Sequence, residues 1–505
     1  MPAQDVGFNK VGMLGVGSMG SAMALLMAEY DFQVFFYDPS KESMDKLDKK
    51  KSDLKMDDKV KRCSSFVDVC DKIKDKGKPR VFVLSIPHGE PADKCIEAVR
   101  SKLDKGDTFI DCGNEHWTNT ERRQAQLEPK GIYYVGCGVS GGYQSARSGP
   151  SMSPGGSKEA LAQVMPFLRT IAAKDKKGTP CTVEVGPGGS GHYVKMVHNG
   201  IEQGMMSIIA EVWMLFTRGL GLKHEEIGNI FAKWNKEGPL HDCFLVDIAA
   251  VIERSKNKDG RYVLDTVRDK VVQDVDEEEG TGTWTCEEAV ALHVPAPTIL
   301  SAHLFRCASA DLAERILHRQ ATGSKVDMLP LNVQDKHAVI ETLHKATYFC
   351  FLACFTQGMD IIRAKDKQKK WGLDFTKIMQ LWRGGCIIQA DHITDLITKV
   401  YKRHDHSQHD MLSSPEIGKE LSANWDALKS VVIRGVQTDA FIPAISQTAE
   451  YYKYMTSTGL PTQFMEAQLD FFGEHMYDCK DDPIGGPVKG KHHFEWRPAK
   501  GITGK

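Results

Sequence analysis

The chain has 505 residues, of which 41% are hydrophobic and 26% are charged. This composition is typical of a soluble globular protein, and the length predicts two or three domains. With 65 basic and 67 acidic residues the net charge is -2, which offers no general attraction to nucleic acid or to an anionic membrane. We therefore expect small molecules or other subunits as partners.

The cysteines and the first residues show no signature of a secreted, metal-binding or membrane protein. The 13 cysteines are scattered, and none has the CxxC spacing that commonly holds zinc, so we expect free thiols and no metal site. The start, MPAQDVGFNK, lacks the apolar region of a signal peptide, and no stretch approaches the roughly 20 apolar residues of a membrane span. These features predict a cytoplasmic protein that does not bind membranes or nucleic acid.

Short apolar runs alternate with helix-length segments in the first part of the chain, namely VGMLGVG, QVFFYD, RVFVLSIP, TFIDCGN and IYYVGCGVS. This alternation is typical of parallel βαβ units. The predicted fold class is α/β followed by all-α. A Rossmann-type doubly wound domain is expected over 1–190, an all-helical domain over 191–480 and a short tail over 481–505.

The tail is rich in Gly, Pro and Lys and cannot build a core alone. Two alternatives remain open, a disordered tail or one that binds across a neighbouring subunit. The segment Phe494-Glu495-Trp496 favours docking, because exposed aromatic side chains are unfavourable in a free tail.

The segment GVGSMG follows the first predicted strand and opens the first predicted helix. Its glycines permit a tight turn, and they let backbone N–H groups meet a pyrophosphate at the positive end of the helix. In this context the pattern predicts a dinucleotide site. The residues assigned to it are Gly15, Gly17, Ser18, Met19 and Gly20.

Asp38 stands at the end of the second predicted strand, where an acidic side chain can accept both ribose hydroxyls of NAD. The same carboxylate would repel the 2′-phosphate of NADP. NAD is therefore the preferred cofactor, although Ser40 and Lys41 nearby leave NADP open.

A polar stripe runs along the predicted helix HYVKMVHNGIEQG. Lys195, His198, Asn199 and Glu202 stand at i, i+3, i+4 and i+7, which places them on one helical face. Periodicity alone leaves two interpretations, a solvated surface and a reaction site.

Eight segments that span nearly the whole chain are GVGSMG, DCGNEHWTNTERR, VSGGYQSARSGPSMSPGG, GHYVKMVHNGIE, GTGTWT, FRCAS, LWRGGCIIQA and DFFGEH. In this order they resemble the long decarboxylating 6-phosphogluconate dehydrogenases of the β-hydroxyacid dehydrogenase superfamily. The resemblance implies a Rossmann-type domain, a helical domain that forms the interface of a homodimer, and a C-terminal tail that crosses to the partner subunit.

The resemblance also implies a reaction, NAD(P)-dependent oxidation of the 3-hydroxyl of a six-carbon sugar acid, loss of CO₂, and tautomerisation to a ketopentose. By this resemblance Lys195 is the general base, Glu202 the acid that protonates the enediol carbon, and Asn199 the residue that fixes the substrate. His198 is expected near the substrate. Further residues implied at the site are Asn114 beside the nicotinamide, and Ser140, Gly141, Gly142, Thr281, Arg306 and, from the partner subunit's copy of the tail region, His475.

The chain departs from the family at the expected substrate phosphate. Gln203, Glu279 and Leu469 replace a tyrosine, a lysine and an arginine, while Thr281 and Arg306 are retained. A phosphate dianion needs charge-assisted partners. The substrate is therefore expected to be 6-phosphogluconate or a relative with a different or absent 6-substituent.

Two other functions stay open at this point, a non-decarboxylating 3-hydroxyacid dehydrogenase and a nucleotide-binding paralogue that has lost catalysis. The first would not need Glu202 as a carbon acid, and the second would not need Lys195, Asn199 and Glu202 in catalytic spacing. Trp284 and Trp382 are expected to be core residues rather than site residues.

Overall fold

The computed structural model describes residues 6–271, 280–404, 409–484 and 490–497. The chain forms two compact units, Met1–Ala449 and Glu450–Lys505. The first unit holds the sheet and most of the helices. The domain boundary expected near residue 190 stays a prediction.

A seven-stranded sheet forms the first part of the first unit. Its strands are β1 (Lys10–Leu14), β2 (Gln33–Tyr37), β3 (Val60–Arg62), β4 (Val81–Leu84), β5 (Thr108–Asp111), β6 (Tyr133–Ser140) and β7 (Ser151–Gly155). Their order is β3-β2-β1-β4-β5-β6-β7, and all neighbours are parallel except β6 and β7. The predicted Rossmann-type doubly wound sheet is confirmed.

Both faces of the sheet are buried, which explains why its strands are continuous apolar runs. On β4, Val83 packs into one hydrophobic cluster, and its neighbours Phe82 and Leu84 pack into another. Neighbouring residues on β5 divide in the same way, because alternate side chains point to opposite faces. The helices among these strands are α1 (Ser18–Glu29), α2 (Lys41–Asp53), α3 (Phe66–Lys72), α4 (Glu90–Val99), α5 (Trp117–Leu127), α6 (Gly142–Ser148) and α7 (Lys158–Ile171).

Helices and no further strands follow in the described residues after β7, which confirms the predicted helical region. They are α8 (Ser190–Met214), α9 (His224–Trp234), α10 (Phe244–Arg254), α11 (Thr281–Ala291), α12 (Pro297–Ser309), α13 (Leu312–Thr322), α14 (Lys336–Lys369), α15 (Phe375–Leu381), α16 (Asp391–Arg403), α17 (Pro415–Gln437), α18 (Pro443–Met455) and α19 (Thr462–Gly473).

Helix α8 links the sheet to the helical region, since it contacts β6 and β7 as well as α11, α12 and α14. Its close approach to the sheet depends on Gly138 of β6. A Cβ atom at that position would lie 2.1 Å from Cβ of Lys195. The missing side chain therefore lets Lys195 lie directly on the end of the sheet.

Helix α14 is long and apolar enough to cross a bilayer. No segment of this kind had been predicted from the sequence. Among the described residues it is the one such helix, and 67% of its most apolar window is buried inside the protein. Its apolar length is accounted for by packing against α8 and α17.

In the second unit, the tail folds back onto α19. Asp470 of α19 accepts hydrogen bonds from the Phe494 N–H and from Trp496 Nε1, and its Oδ1 lies 2.9 Å from His493 Nδ1. These contacts hold the pKa of the Asp470 carboxyl at about 2 despite the opposing effect of desolvation. The described tail residues around Phe494 and Trp496 are thus held in place, whereas residues 498–505 lie outside the described part of the chain.

Candidate active site

The turn between β1 and α1 has the geometry of a dinucleotide-binding loop. Gly15 has a φ of +90°, and a Cβ atom there would lie 2.3 Å from the Ser85 carbonyl oxygen. A Cβ atom at Gly17 would meet no atom within 4 Å. Helix α1 begins at the next residue, Ser18, so free space lies in front of its positive end. These residues fit a pyrophosphate.

Asp38 lies at the end of β2 and is bound to the same turn. Its Oδ2 accepts a hydrogen bond from the Val16 N–H at 2.7 Å, and its Oδ1 accepts one from the Ser40 N–H at 2.7 Å. Each carboxylate oxygen keeps a further lone pair for a ribose hydroxyl. The negative charge therefore lies beside the glycine turn, and its role in cofactor choice stays a prediction.

The order of the sheet reverses at β1, which lies between β2 and β4. Ligands of open parallel sheets bind outside the carboxyl ends of the strands at such a switch point. The loops after β4 and β5 lie at the same edge, and the second of them carries Asn114. The sheet thus places Asn114 at the edge expected for the nicotinamide, although its role stays a prediction.

The polar stripe predicted in the sequence lies on α8 and is not a solvated surface. Lys195 and His198 are only 7% and 1% exposed. Lys195 Nζ donates to Asn199 Oδ1 at 2.6 Å, and Asn199 Nδ2 donates to Thr281 Oγ1 at 2.9 Å. Glu202 Oε2 lies 3.7 Å from His198 Nδ1. The structure therefore joins the four stripe residues to the first residue of α11.

His198 is fixed on both sides of its ring. Its Nδ1 lies 3.0 Å from Asn199 Oδ1, and its Nε2 lies 2.8 Å from Ser140 Oγ and 3.0 Å from Cys386 Sγ. Burial, together with the positive charge of Lys195, holds the pKa of His198 well below its usual range. A neutral ring with hydrogen on Nδ1 satisfies these contacts, so Ser140 donates to Nε2.

Cys386 was not expected at this site. Burial raises the pKa of its thiol to about 12, so it remains protonated beside His198. It belongs to LWRGGCIIQA, one of the segments that carry the resemblance, but a lone cysteine has no spacing from which a role could be inferred.

The glycines of the SGG segment follow β6 directly. Gly141 and Gly142 have φ values of +99° and +69°, and α6 starts at Gly142. This left-handed backbone turns the chain beside Ser140, whose side chain is buried against His198. The structure thus brings Ser140 together with the α8 stripe.

A cavity of about 390 Å³ opens next to Glu202. Its polar lining consists of Glu202, Gln203, Ser207, Arg306 and Ser309. Gln203 is held by His303, whose Nδ1 lies 3.2 Å from Gln203 Oε1. His303 and Ser309 had not been expected at this end of the site. Glu279, at which the sequence departs from the family, lies outside the described residues.

The two tryptophans differ in their surroundings. Trp382 is 2% exposed and packs near His198, as expected of a core residue. Trp284 of α11 is only half-buried, and its ring meets the rings of His88 and His116 edge-on with centroids 5.1 and 4.9 Å apart. It lines the junction between α11 and the loops after β4 and β5 rather than the core.

The second unit holds one expected participant, His475, and one position at which the chain departs from the family, Leu469. His475 follows α19, is exposed, and lies near the Phe472 ring with centroids 6.0 Å apart. Leu469 of α19 is 38% exposed. The expected contact of His475 with substrate stays a prediction.

A doubly wound sheet with a glycine turn, an acidic residue at the end of β2 and a buried lysine on α8 are the features expected of a nicotinamide-dependent oxidoreductase. Two family profiles match the chain. Residues 10–186 match the NAD binding domain of 6-phosphogluconate dehydrogenase, and residues 191–496 match its C-terminal domain.

Individual members of the same family are also similar to this chain over nearly its full length. The decarboxylating 6-phosphogluconate dehydrogenase of Emericella nidulans is 42% identical over 499 residues, which cover 95% of this chain and 100% of that protein. The decarboxylating enzyme 2 of Arabidopsis thaliana is 36% identical, with 96% of this chain and 97% of that protein covered. The solved structure of Plasmodium falciparum 6-phosphogluconate dehydrogenase superposes with a TM-score of 0.85 at 30% identity, covering 96% of this chain and 100% of that one.

The chain belongs to the 6-phosphogluconate dehydrogenase family. It is therefore an oxidoreductase with a nicotinamide nucleotide as its cofactor.

Proposed function

We propose that the protein catalyses the oxidative decarboxylation of 6-phosphogluconate to a ketopentose phosphate and CO₂. The observation that carries this proposal is the buried chain of contacts from Lys195 through Asn199 to Thr281, with Glu202 one further helical turn along α8. It supplies a base, a polar anchor and an acid on one face of one helix.

Lys195 is the proposed base for the substrate 3-hydroxyl. As a neutral amine it accepts the hydroxyl proton, and it returns a proton to the resulting carbonyl oxygen as the C–C bond to the carboxylate breaks. Asn199 Oδ1 holds Nζ during both transfers. A bound nicotinamide nucleotide supplies the hydride acceptor. Glu202 in its protonated form then protonates the enediol carbon, while the Lys195 amine takes up the proton of the enediol hydroxyl, and a ketose results.

The proposed cofactor preference is for NAD over NADP. The support is the Asp38 carboxylate, which is anchored by the Val16 and Ser40 N–H groups beside the glycine turn. A 2′-phosphate would approach this negative charge. The Plasmodium falciparum relative was solved with NADP+, so the two nucleotides need to be compared directly on this chain.

At the distal end of the substrate, Arg306 is the proposed cationic partner. It lines the cavity beside Glu202, and Thr281 begins α11 at the positive end of that helix. Gln203 stands where family members have a tyrosine. We therefore propose that 6-phosphogluconate is accepted with fewer charged contacts than in other family members.

The proposed assembly is a homodimer in which the second unit of each chain, with His475, crosses to the partner subunit. An exposed apolar surface formed by α19 and the tail supports this, since Phe464, Phe472 and Trp496 are 69%, 70% and 44% exposed and line the same surface. Monomers rarely expose contiguous apolar surface of this kind. Phe472→Glu should shift sedimentation towards the monomer, whereas Leu54→Glu, at the exposed end of α2, should leave the dimer intact.

The function is tested by measuring formation of NADH, NADPH and CO₂ with 6-phosphogluconate and with gluconate. The proposal expects reduced cofactor and CO₂ with 6-phosphogluconate, and faster turnover with NAD. Reduced cofactor without CO₂ would indicate the non-decarboxylating alternative. No turnover with any combination of these substrates and cofactors would indicate a paralogue that has lost catalysis.

A further inference from the structure

Three residues of the second unit, which could bind a metal through sulfur, oxygen and nitrogen, lie close together. Cys479, Asp482 and His492 each offer one ligand atom, and these atoms all lie within 4.8 Å of one another. His492 Nε2 is already 3.0 Å from Asp482 Oδ2. On a tetrahedral zinc ion, ligand atoms are separated by about 3.3–3.6 Å, as the usual Zn–N, Zn–O and Zn–S bond lengths require. Small side-chain rotations therefore suffice to bring the three atoms onto one ion.

The backbone already holds the three residues in position. Tyr477 and His492 form an antiparallel bridge in which the Tyr477 N–H donates to the His492 carbonyl at 2.8 Å, and the His492 N–H donates back at 3.0 Å. A turn brings Asp482 next to Cys479, because the Asp482 N–H donates to the Cys479 carbonyl at 3.0 Å. The three ligands are thus up to 13 positions apart in the chain, but backbone hydrogen bonds hold them near one another.

The chemistry of the three side chains also suits a metal cation. The Cys479 N–H donates to Asp482 Oδ2 at 2.7 Å, which holds the carboxylate next to the Cys479 backbone. Cys479 is exposed, so its sulfur is reachable from solvent. A thiolate, an imidazole and a carboxylate together form a ligand set that suits Zn²⁺ better than Mg²⁺ or Ca²⁺.

We propose that Cys479, Asp482 and His492 form a zinc site beside the Tyr477–His492 bridge. Binding forms Zn–S, Zn–N and Zn–O bonds, releases the Cys479 thiol proton to solvent and transfers no electron. The neutral His492 ring then carries its hydrogen on the nitrogen that does not bind zinc. The imidazole and the carboxylate complete three protein ligands, and water takes the fourth position. The sequence did not suggest this site because its spacing is neither CxxC nor HxxxH.

The first test measures alkylation of cysteines in the metal-stripped full-length protein, with and without ZnCl₂, by mass spectrometry. A zinc-bound sulfur reacts slowly, so zinc should slow iodoacetamide labelling of Cys479 by about tenfold or more. Cys307 is exposed on α12 and serves as the control in the same sample. His492→Gln and Asp482→Asn should each remove most of the protection. Equal effects on both cysteines, or full protection in His492→Gln, would overturn the proposal.

The second test uses Co²⁺ as a spectroscopic probe of the same site. Thiolate coordination should give a charge-transfer band that saturates at one ion per chain and disappears when Zn²⁺ is added. The band should be lost in Cys479→Ser and kept in the matched variant Cys307→Ser. A band that survives in Cys479→Ser, or no band in the unchanged protein, would contradict the site. Neither readout depends on catalysis, so a failure here is distinguishable from a failure of the proposed function.

Discussion

Lys195 Nζ donates a hydrogen bond to Asn199 Oδ1 at 2.6 Å, across one turn of α8. The same oxygen lies 3.0 Å from His198 Nδ1, and the Asn199 amide is anchored on Thr281. Asn199 thus holds the Lys195 amino group and the His198 imidazole in fixed positions relative to each other. The proposed base is positioned before substrate arrives, which avoids part of the cost of ordering it during reaction.

Replacement of Lys195 with methionine is expected to lower kcat by a factor on the order of 10²–10⁴, because the 3-hydroxyl loses its proton acceptor. Methionine keeps an unbranched apolar side chain against Gly138. Cofactor affinity, measured by quenching of tryptophan fluorescence, should change little. A variant with near-normal kcat would remove Lys195 from the mechanism.

The Asp38→Asn change tests the cofactor preference. Removal of the negative charge should lower the ratio of kcat/KM for NAD over that for NADP by about tenfold, equivalent to roughly 1.4 kcal/mol. Asp53→Asn, at the exposed end of α2, is the control and should leave the ratio unchanged. If the unchanged protein already prefers NADP, groups other than Asp38 determine cofactor choice.

Arg306→Ala tests the distal end of the substrate. A hydrogen bond to a charged group contributes about 1.5–3 kcal/mol, so KM for 6-phosphogluconate should rise on the order of tenfold to a hundredfold. The kinetics with gluconate should change little. Arg319→Ala is the control, because Arg319 is exposed on α13 and paired with Asp327 at 2.6 Å. Equal losses with both substrates would show that Arg306 does not recognise the phosphate.

A buried carboxyl outside the site should make stability depend on pH. Burial raises the pKa of Glu211 from 4.5 to about 7, although the N–H groups of Ala444 and Ile445 and the Ser207 hydroxyl donate to it. Between these pH values the folded protein holds a proton that the unfolded chain has released. The free energy of unfolding therefore falls as pH rises from about 4.5 to 7, by up to about 3 kcal/mol from this group.

Urea unfolding of the wild type and of Glu211→Gln at pH 5 and pH 8 measures this contribution. Glutamine cannot ionise, so the variant should show a smaller loss of stability between the two pH values. Identical pH dependence in both proteins would show that Glu211 has no raised pKa in the folded state.

The parts of the fold and of the site that depend on short sequence patterns could be predicted from the sequence. The glycine turn, the alternating strands and helices, and the spacing of Lys195, Asn199 and Glu202 all depend on residues close together in the chain. The contact between His198 and Cys386 joins residues 188 positions apart and has no local pattern. The packing of Trp284 against two histidine rings likewise depends on the position of α11 beside the sheet edge.

The most direct test of the proposed function is a balance of products from 6-phosphogluconate labelled with ¹³C at its carboxylate. We expect one ¹³CO₂ for each reduced cofactor with the unchanged protein, and loss of both products in Lys195→Met. Reduced cofactor formed while the label stays in the sugar acid would contradict the account.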